Sequence, residues 1–129
     1  MLNNKGQSLV LFIIVLPILI LILILIIDIG QVIVLKQEFN NISELVLDYG
    51  LDNLDNENLC NELIDLIRLN KDDIDKINVY VENEKIYIEL METSKGVFSS
   101  FVDISLFNIK SFYVGYVENE NKRIESLGD

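Results

Sequence analysis

Residues 9–27 read LVLFIIVLPILILILILII, a run of nineteen residues without a charged or polar side chain. As an α-helix this run would rise about 28 Å, close to the roughly 30 Å hydrocarbon core of a bilayer. Its Leu, Ile, Val and Phe side chains together favour insertion into lipid by on the order of 5–10 kcal/mol. Pro17 removes one backbone hydrogen-bond donor, which membrane helices tolerate. The run therefore predicts one membrane-spanning helix.

Two other structures could account for the apolar run. A buried core helix rarely continues this long without a polar residue. A cleaved secretory signal peptide has a shorter apolar region, about 7–15 residues, with small residues at its cleavage site. Here Asp28, Ile29, Gly30 and Gln31 follow the run, which fits that pattern poorly. A membrane span is the better interpretation, and the signal peptide is its main alternative.

The distribution of charge predicts an orientation. The residues before the span carry Lys5 and no acid, whereas all 21 acidic residues lie from Asp28 onward with nine of the ten basic ones, a net charge of −12. The positive-inside rule places the N-terminus in the cytoplasm and exports the acidic part. That part should repel nucleic acid and anionic lipid surfaces. We expect a single-pass protein of the cytoplasmic membrane, with a cytoplasmic stub at 1–7 and an extracytoplasmic domain at 50–129.

Helical periodicity continues beyond the span. Apolar residues recur at alternating spacings of three and four, which places them in one stripe on a helix. The stripe residues are Val32, Leu35, Phe39, Ile42, Val46 and Tyr49. No proline or turn cluster interrupts the pattern, so it predicts one continuous helix over 8–49, half in lipid and half in water, stopped by Gly50. The stripe suits either packing on the chain's own sheet or a coiled-coil seam.

A second helix and a β-hairpin are expected next. An acidic linker at 51–58 offers Asn56 or Asn58 as the cap of a helix at about 57–69. After a polar turn at 71–76, alternation predicts two strands joined by Asn83-Glu84. The predicted register pairs Val81 with Ile86, Val79 with Ile88, Tyr80 with Tyr87 and Glu82 with Lys85.

The rest of the chain gives weaker signals. Residues 97–102 have helical spacing over a short stretch, and a third strand is expected within 109–117. Residues 118–129 resemble a frayed polar tail. The predicted fold is therefore α+β: a long N-terminal helix packed on a small domain with a second helix and a three-stranded antiparallel sheet.

The composition argues against an enzyme and indicates no cofactor. The chain has no His, so neither a Ser-His triad nor the usual zinc sites can form, and its six Gly residues make no phosphate-binding loop. The acids Asp72, Asp73 and Asp75 resemble part of a calcium loop, but the segment that follows alternates like a strand, which favours a solvated turn. The same holds for the acidic linker at 52–57. The single Cys60 is expected to be a small buried hydrophobe.

The beginning of the chain resembles a known family. Gly6-Gln7-Ser8-Leu9-Val10, Phe12, Val15-Leu16-Pro17 and Asp28-Ile29-Gly30 together resemble the TadE-like family of pseudopilins from tight-adherence (Flp) pilus systems. The resemblance covers roughly residues 5–31. It implies a role in pilus assembly, cleavage between Gly6 and Gln7 by a prepilin peptidase, and contacts with other pilin-like or assembly subunits in the bilayer. It also implies that Phe12 and Pro17 are packing positions within the span and that Asp28 and Gly30 mark the exit of the helix from the membrane.

One position departs from the family pattern. Family members carry Glu at the fifth position after the leader Gly, and this chain carries Leu11. In pilin-like proteins that Glu meets the N-terminal amine of a neighbouring subunit. The resemblance therefore implies a minor or accessory subunit rather than the bulk pilin. A membrane-anchored extracytoplasmic sensor or interaction domain without a pilus role is the alternative.

Overall fold

The computed structural model describes residues 4–94, 96–97 and 107–128. Two helices precede four strands: α1 (Asn4–Asp52), α2 (Leu59–Asn70), β1 (Lys76–Glu82), β2 (Lys85–Ser94), β3 (Phe107–Glu118) and β4 (Asn121–Gly128). The strands form one antiparallel sheet in the order β1-β2-β3-β4. The long N-terminal helix, the second helix and the antiparallel sheet confirm the predicted α+β class.

Helix α1 extends beyond the predicted 8–49 at both ends. Gly50 does not stop it; the residue lies inside the helix and is buried. A Cβ at Gly50 would lie 2.7 Å from Cδ1 of Ile86 and 3.2 Å from Cδ1 of Leu63. The glycine is therefore explained by the close approach of β2 and α2 to the helix, not by a left-handed cap.

Helix α2 starts two residues later than predicted. Asn58 occupies the N-cap position but makes no side-chain capping bond. Asn56 contributes instead, because its Oδ1 accepts a 2.9 Å hydrogen bond from the N–H of Asn58 and so shapes the turn into the helix. Leu59, Leu63 and Ile67 form the buried face of α2.

The first hairpin has the predicted register. Val81 pairs with Ile86 and Tyr80 with Tyr87, whose rings stack on the outer face with centroids 4.8 Å apart. Asn83 and Glu84 form the turn with φ of 52° and 62°, the two positive values that a type I′ turn needs.

The sheet has four strands, so the three-stranded prediction is wrong. The residues expected to fray include β4, which pairs with β3 across a second turn at Asn119-Glu120, with φ of 52° and 66°. Only Ile124 in β4 is half-buried. Because β4 is an edge strand with almost no buried side chain, it lacks the apolar alternation that marks a strand in sequence.

The core lies between the inner face of the sheet and the two helices. Its buried apolar residues come from all these layers: Phe39, Ile42, Val46, Leu47, Leu51, Leu59, Leu63, Ile67, Ile74, Val79, Ile86, Ile88, Leu90 and Ile109. Small residues let α1 approach β3 closely, since a Cβ at Gly115 would lie 3.1 Å from Cδ2 of Leu47. The hydroxyls of Ser43 and Ser111 are buried in this layer and make no hydrogen bond within the described part of the chain.

Polar contacts at the rim hold α1 to the sheet. Lys122 in β4 donates to Asp48 and Asp52 at 2.9 Å and 2.8 Å. The hydroxyl of Tyr113 in β3 donates to Oδ1 of Asn40 at 2.5 Å. The short helix predicted at 97–102 lies, apart from Val97, outside the described residues.

Candidate functional site

The N-terminal half of α1 stands clear of the domain. Within the described ranges, α1 is the one helix long and apolar enough to cross a membrane, and none of its most apolar window is buried. Leu11 and Phe12 are 62% and 60% exposed. An apolar surface exposed on all sides is what a helix surrounded by lipid requires. The helix is therefore consistent with single-pass anchoring.

The predicted leader junction lies in the first turns of α1. The helix begins at Asn4, so the bond between Gly6 and Gln7 is in helical backbone, and the Gln7 side chain is exposed. Pro17 lies inside the helix without ending it. Its ring nitrogen cannot donate to the carbonyl four residues earlier, which leaves one backbone acceptor in the span without its usual partner.

Asp28 marks the end of the apolar run. Although it lies on an otherwise exposed stretch of α1, it is 1% exposed. Its Oδ1 accepts a 2.7 Å hydrogen bond from the N–H of Val97, which follows β2. Gly96 lies so close that a Cβ there would be 2.4 Å from the carboxyl carbon of Asp28. Asp28, predicted as an exit residue, thus connects α1 to the sheet domain through a tertiary contact.

Gly30, the second predicted exit residue, has open space around it. Apart from its own helix backbone, no heavy atom of the described residues comes within 4 Å of the position its Cβ would take. It lies in a shallow groove of about 510 Å³ along α1, lined by Ile27, Gly30, Gln31, Val34, Leu35 and Glu38. Among the residues that the structure describes, none packs against this position, and the groove begins where the apolar run ends.

The predicted stripe divides into a buried and a peripheral part. Phe39, Ile42 and Val46 are buried in the core, while Val32 and Leu35 are partly buried against it. Tyr49 is 41% exposed. Because the chain's own sheet covers the central stripe residues, their packing favours the sheet interpretation over a coiled-coil seam.

The Tyr49 side chain joins the two helices. Its hydroxyl donates to Oε2 of Glu62 in α2 at 3.2 Å. The charge of Glu62, with this hydrogen bond, raises the pKa of Tyr49 above its usual 10.0.

Sequence reasoning did not identify an ionic cluster around Lys71, at the end of α2. Its ammonium lies 2.8 Å from Asp73, 3.6 Å from Glu92 in β2 and 3.7 Å from Glu38 in α1. Burial raises the pKa of Glu92 above 4.5, Lys71 opposes that rise, and Asp73 and Asp75 add to it. Glu38 and Glu92 are distant from Lys71 in sequence, so no local pattern indicates the cluster.

Two of the acids considered as calcium ligands, Asp73 and Asp75, have protein partners. Asp73 pairs with Lys71, and Oδ2 of Asp75 accepts a 2.8 Å hydrogen bond from the N–H of Thr93. Among residues 4–94, 96–97 and 107–128, no three Asp, Glu or Cys side chains converge as metal ligands would. Cys60 is a free thiol of intermediate burial beside the core.

Comparison with known proteins gives one family match. The family described as TadE-like protein matches residues 6–44, which confirms the resemblance read from the leader and span. The matched segment is less than a third of the chain and holds the junction at Gly6, the span, the exit residues and the beginning of the stripe. A search of the curated proteins and the solved structures gave no match.

Proposed function

We propose that this protein is a non-catalytic, membrane-anchored subunit of a Tad/Flp pilus or a related secretion system, acting as a minor pseudopilin or an accessory assembly protein. The TadE-like match over residues 6–44 carries the proposal. The matched segment covers the exposed half of α1 and continues into the part of the helix that packs on the domain. A subunit of this kind would use the exposed half in the bilayer, alongside pilin-like neighbours, and present the α+β domain outside it.

The proposed orientation places the N-terminus in the cytoplasm and the domain outside. Lys5 precedes the span and the acids follow it, which the positive-inside rule favours. Protease added to intact spheroplasts should therefore degrade the residues beyond about residue 30. Protection of those residues until the membrane is permeabilised would refute the orientation.

Processing at Gly6 separates a pseudopilin from a plain membrane anchor. A prepilin peptidase would cut between Gly6 and Gln7 and leave Gln7 as the first residue. Mass spectrometry of the protein extracted from membranes should find this N-terminus, cyclised or methylated, in cells with an active peptidase. Intact Met1 in those cells would favour the sensor or interaction domain.

Leu11 supports a minor role. Without the family carboxylate, this chain offers no partner to the N-terminal amine of a neighbour. A charged group without a partner in the hydrocarbon costs several kcal/mol unless it reaches the interface. Repeated burial in a filament shaft is therefore unfavourable, whereas one terminal position or a membrane-retained role in assembly avoids the cost.

Deletion and complementation test the role. Deleting the gene should reduce pilus number without changing the composition of the shaft, and the wild-type gene should restore it. Leu11→Glu should complement or increase incorporation into filaments. Leu21→Glu is the matched control, because a carboxylate near mid-span has no amine to meet and costs roughly 2–4 kcal/mol of insertion. Unchanged pili after deletion, or filaments containing this chain as abundantly as the major subunit, would contradict the proposal.

A further inference from the structure

The contact between Asp28 and the segment after β2 joins residues 69 positions apart in the chain. The corner formed by Gly96 and Val97, hereafter the Gly96–Val97 corner, supplies an N–H to the carboxylate and fits against it without a side chain at Gly96. Asp28 directly follows Ile27, the last residue of the apolar run. The domain is therefore attached to α1 at the level where the helix leaves the hydrocarbon.

The depth of this contact follows from helix geometry. Asp28 is one residue, or about 1.5 Å of helix rise, beyond the run that fills the hydrocarbon core. Helical side chains lean toward the N-terminus, so the Asp28 carboxylate is directed back toward the lipid. The headgroup layer on each side of the core is about 5–8 Å thick. A backbone nitrogen 2.7 Å from Oδ1 of Asp28 therefore lies at the boundary between the hydrocarbon and that layer.

The chemistry of the corner suits the same environment. A carboxylate at the edge of the hydrocarbon is costly unless hydrogen-bond donors satisfy it, and the Val97 N–H is such a donor. The one side chain that the corner exposes is apolar: it is that of Val97, which is 38% exposed. Neither Gly96 nor Val97 is charged, so the corner adds no further charge to that of Asp28 at the membrane surface.

We propose that the Gly96–Val97 corner lies in the headgroup layer of the bilayer, fastened by the Asp28 carboxylate to the point where α1 leaves the lipid. The domain is then held against the membrane surface on one side of the helix. This inference rests on the membrane span within the proposed function, and it does not depend on the pilus role.

Spin labelling of the full chain tests the depth. A Cys60→Ser background removes the native thiol, and Val97→Cys carries a nitroxide in phosphatidylcholine bilayers containing a small amount of nickel-chelating lipid. The chelated nickel lies at the headgroups and speeds relaxation of labels at that depth. Ile20→Cys provides the lipid reference. Leu69→Cys, at an 81% exposed position, provides the aqueous reference.

The aqueous reference is well separated from the exit. Leu69 is two residues before Lys71, which contacts Glu38 on α1. Glu38 is ten residues beyond Asp28, about 15 Å further along the helix axis. We expect headgroup nickel to relax the label at position 97 several-fold more than the labels at 69 and 20. We also expect oxygen, which concentrates in lipid, to relax the label at 20 most.

The controls separate two kinds of failure. If the label at 20 is in lipid while the label at 97 behaves like that at 69, the corner lies in water and the inference is wrong while the anchor stands. If the label at 20 responds as an aqueous site, the membrane anchor itself is refuted.

Substitutions at the contact test the fastening. In the Val97→Cys chain, Asp28→Asn keeps an oxygen acceptor and should preserve the headgroup effect. Asp28→Ala removes the acceptor, and Gly96→Ala would place a Cβ 2.4 Å from the carboxyl group, so both should reduce the effect. Near-UV circular dichroism from the tyrosines confirms that the sheet is retained. An unchanged effect in Asp28→Ala with the sheet intact would show that Asp28 does not hold the corner.

Discussion

Replacing Lys71 by Met should destabilise the domain in a pH-dependent way. The Lys71 side chain is 16% exposed, and its ammonium lies 3.6 Å from Glu92, whose side chain is 12% exposed. At an effective dielectric constant of about 20, two charges at that distance attract by roughly 4–5 kcal/mol before desolvation is counted. Exposed pairs contribute about 0.2–1 kcal/mol, whereas breaking a buried pair costs about 3–5 kcal/mol. This partly buried cluster lies between them, so we expect a loss of roughly 1–3 kcal/mol at pH 7.

The pH dependence identifies the cause. Burial already raises the pKa of Glu92 above 4.5, and Lys71 is the group that restrains it. Lys71→Met should raise that pKa further. The pKa of Glu92 is higher in the folded than in the unfolded state, so ionising this carboxyl destabilises the fold. This destabilisation is absent below about pH 4.5 and develops as the pH rises through the pKa of the folded state. The variant should therefore lose much less stability at pH 4 than at pH 7.

Urea denaturation of the full chain in detergent, followed by near-UV circular dichroism of the tyrosines, measures these differences. Lys71→Met/Glu92→Gln should recover most of the stability lost at pH 7, because the carboxylate left without its cation is then neutral. Lys76→Met, at an exposed position in β1, is the matched control and should change little. An equal loss at pH 4 and pH 7, unrelieved by Glu92→Gln, would show that packing of the lysine methylenes, not charge, accounts for the effect.

Two further substitutions test local features. Ser43→Ala should stabilise the protein by about 1 kcal/mol in the same urea assay, since it removes a buried hydroxyl without a hydrogen bond; a loss of stability would show that the hydroxyl has a partner in solution. Glu84→Gly should add roughly 0.5–1 kcal/mol, because Gly accepts the φ of 62° at that turn position without strain. Its control, Glu82→Gly inside β1, should destabilise, and a gain there would refute the turn argument.

The parts of the fold that depend on local pattern could be predicted from sequence. The apolar run predicted the exposed half of α1. Period-two alternation, with a charge pair across the turn, predicted the register of β1 and β2. The second turn carries the same four residues as the first: Val81-Glu82-Asn83-Glu84 recurs as Val117-Glu118-Asn119-Glu120. That repeat was the available signal for β4, and alternation alone missed the strand because Ile124 is its one half-buried residue.

The candidate site was predictable only in part. The leader junction and the exit residues follow from short motifs, but the burial of Asp28 depends on Val97, which is distant in sequence. Gly50 was interpreted as a helix end because its local context allows that conformation. Its close neighbour Ile86 lies in β2, and no local pattern reveals such an approach. Contacts of this kind require the tertiary arrangement.

Because α1 is continuous, one stiff helix connects the membrane span to the far side of the domain. About 37 Å of helix lies between Ile27 and Asp52, without a proline in that stretch to bend it. Transmembrane helices tilt by about 20° on average, and a tilt of that size would move the far end of this helix sideways by about 13 Å. A change in bilayer thickness that altered the tilt would thereby change where the sheet stands above the membrane and how close its edges come to a neighbour.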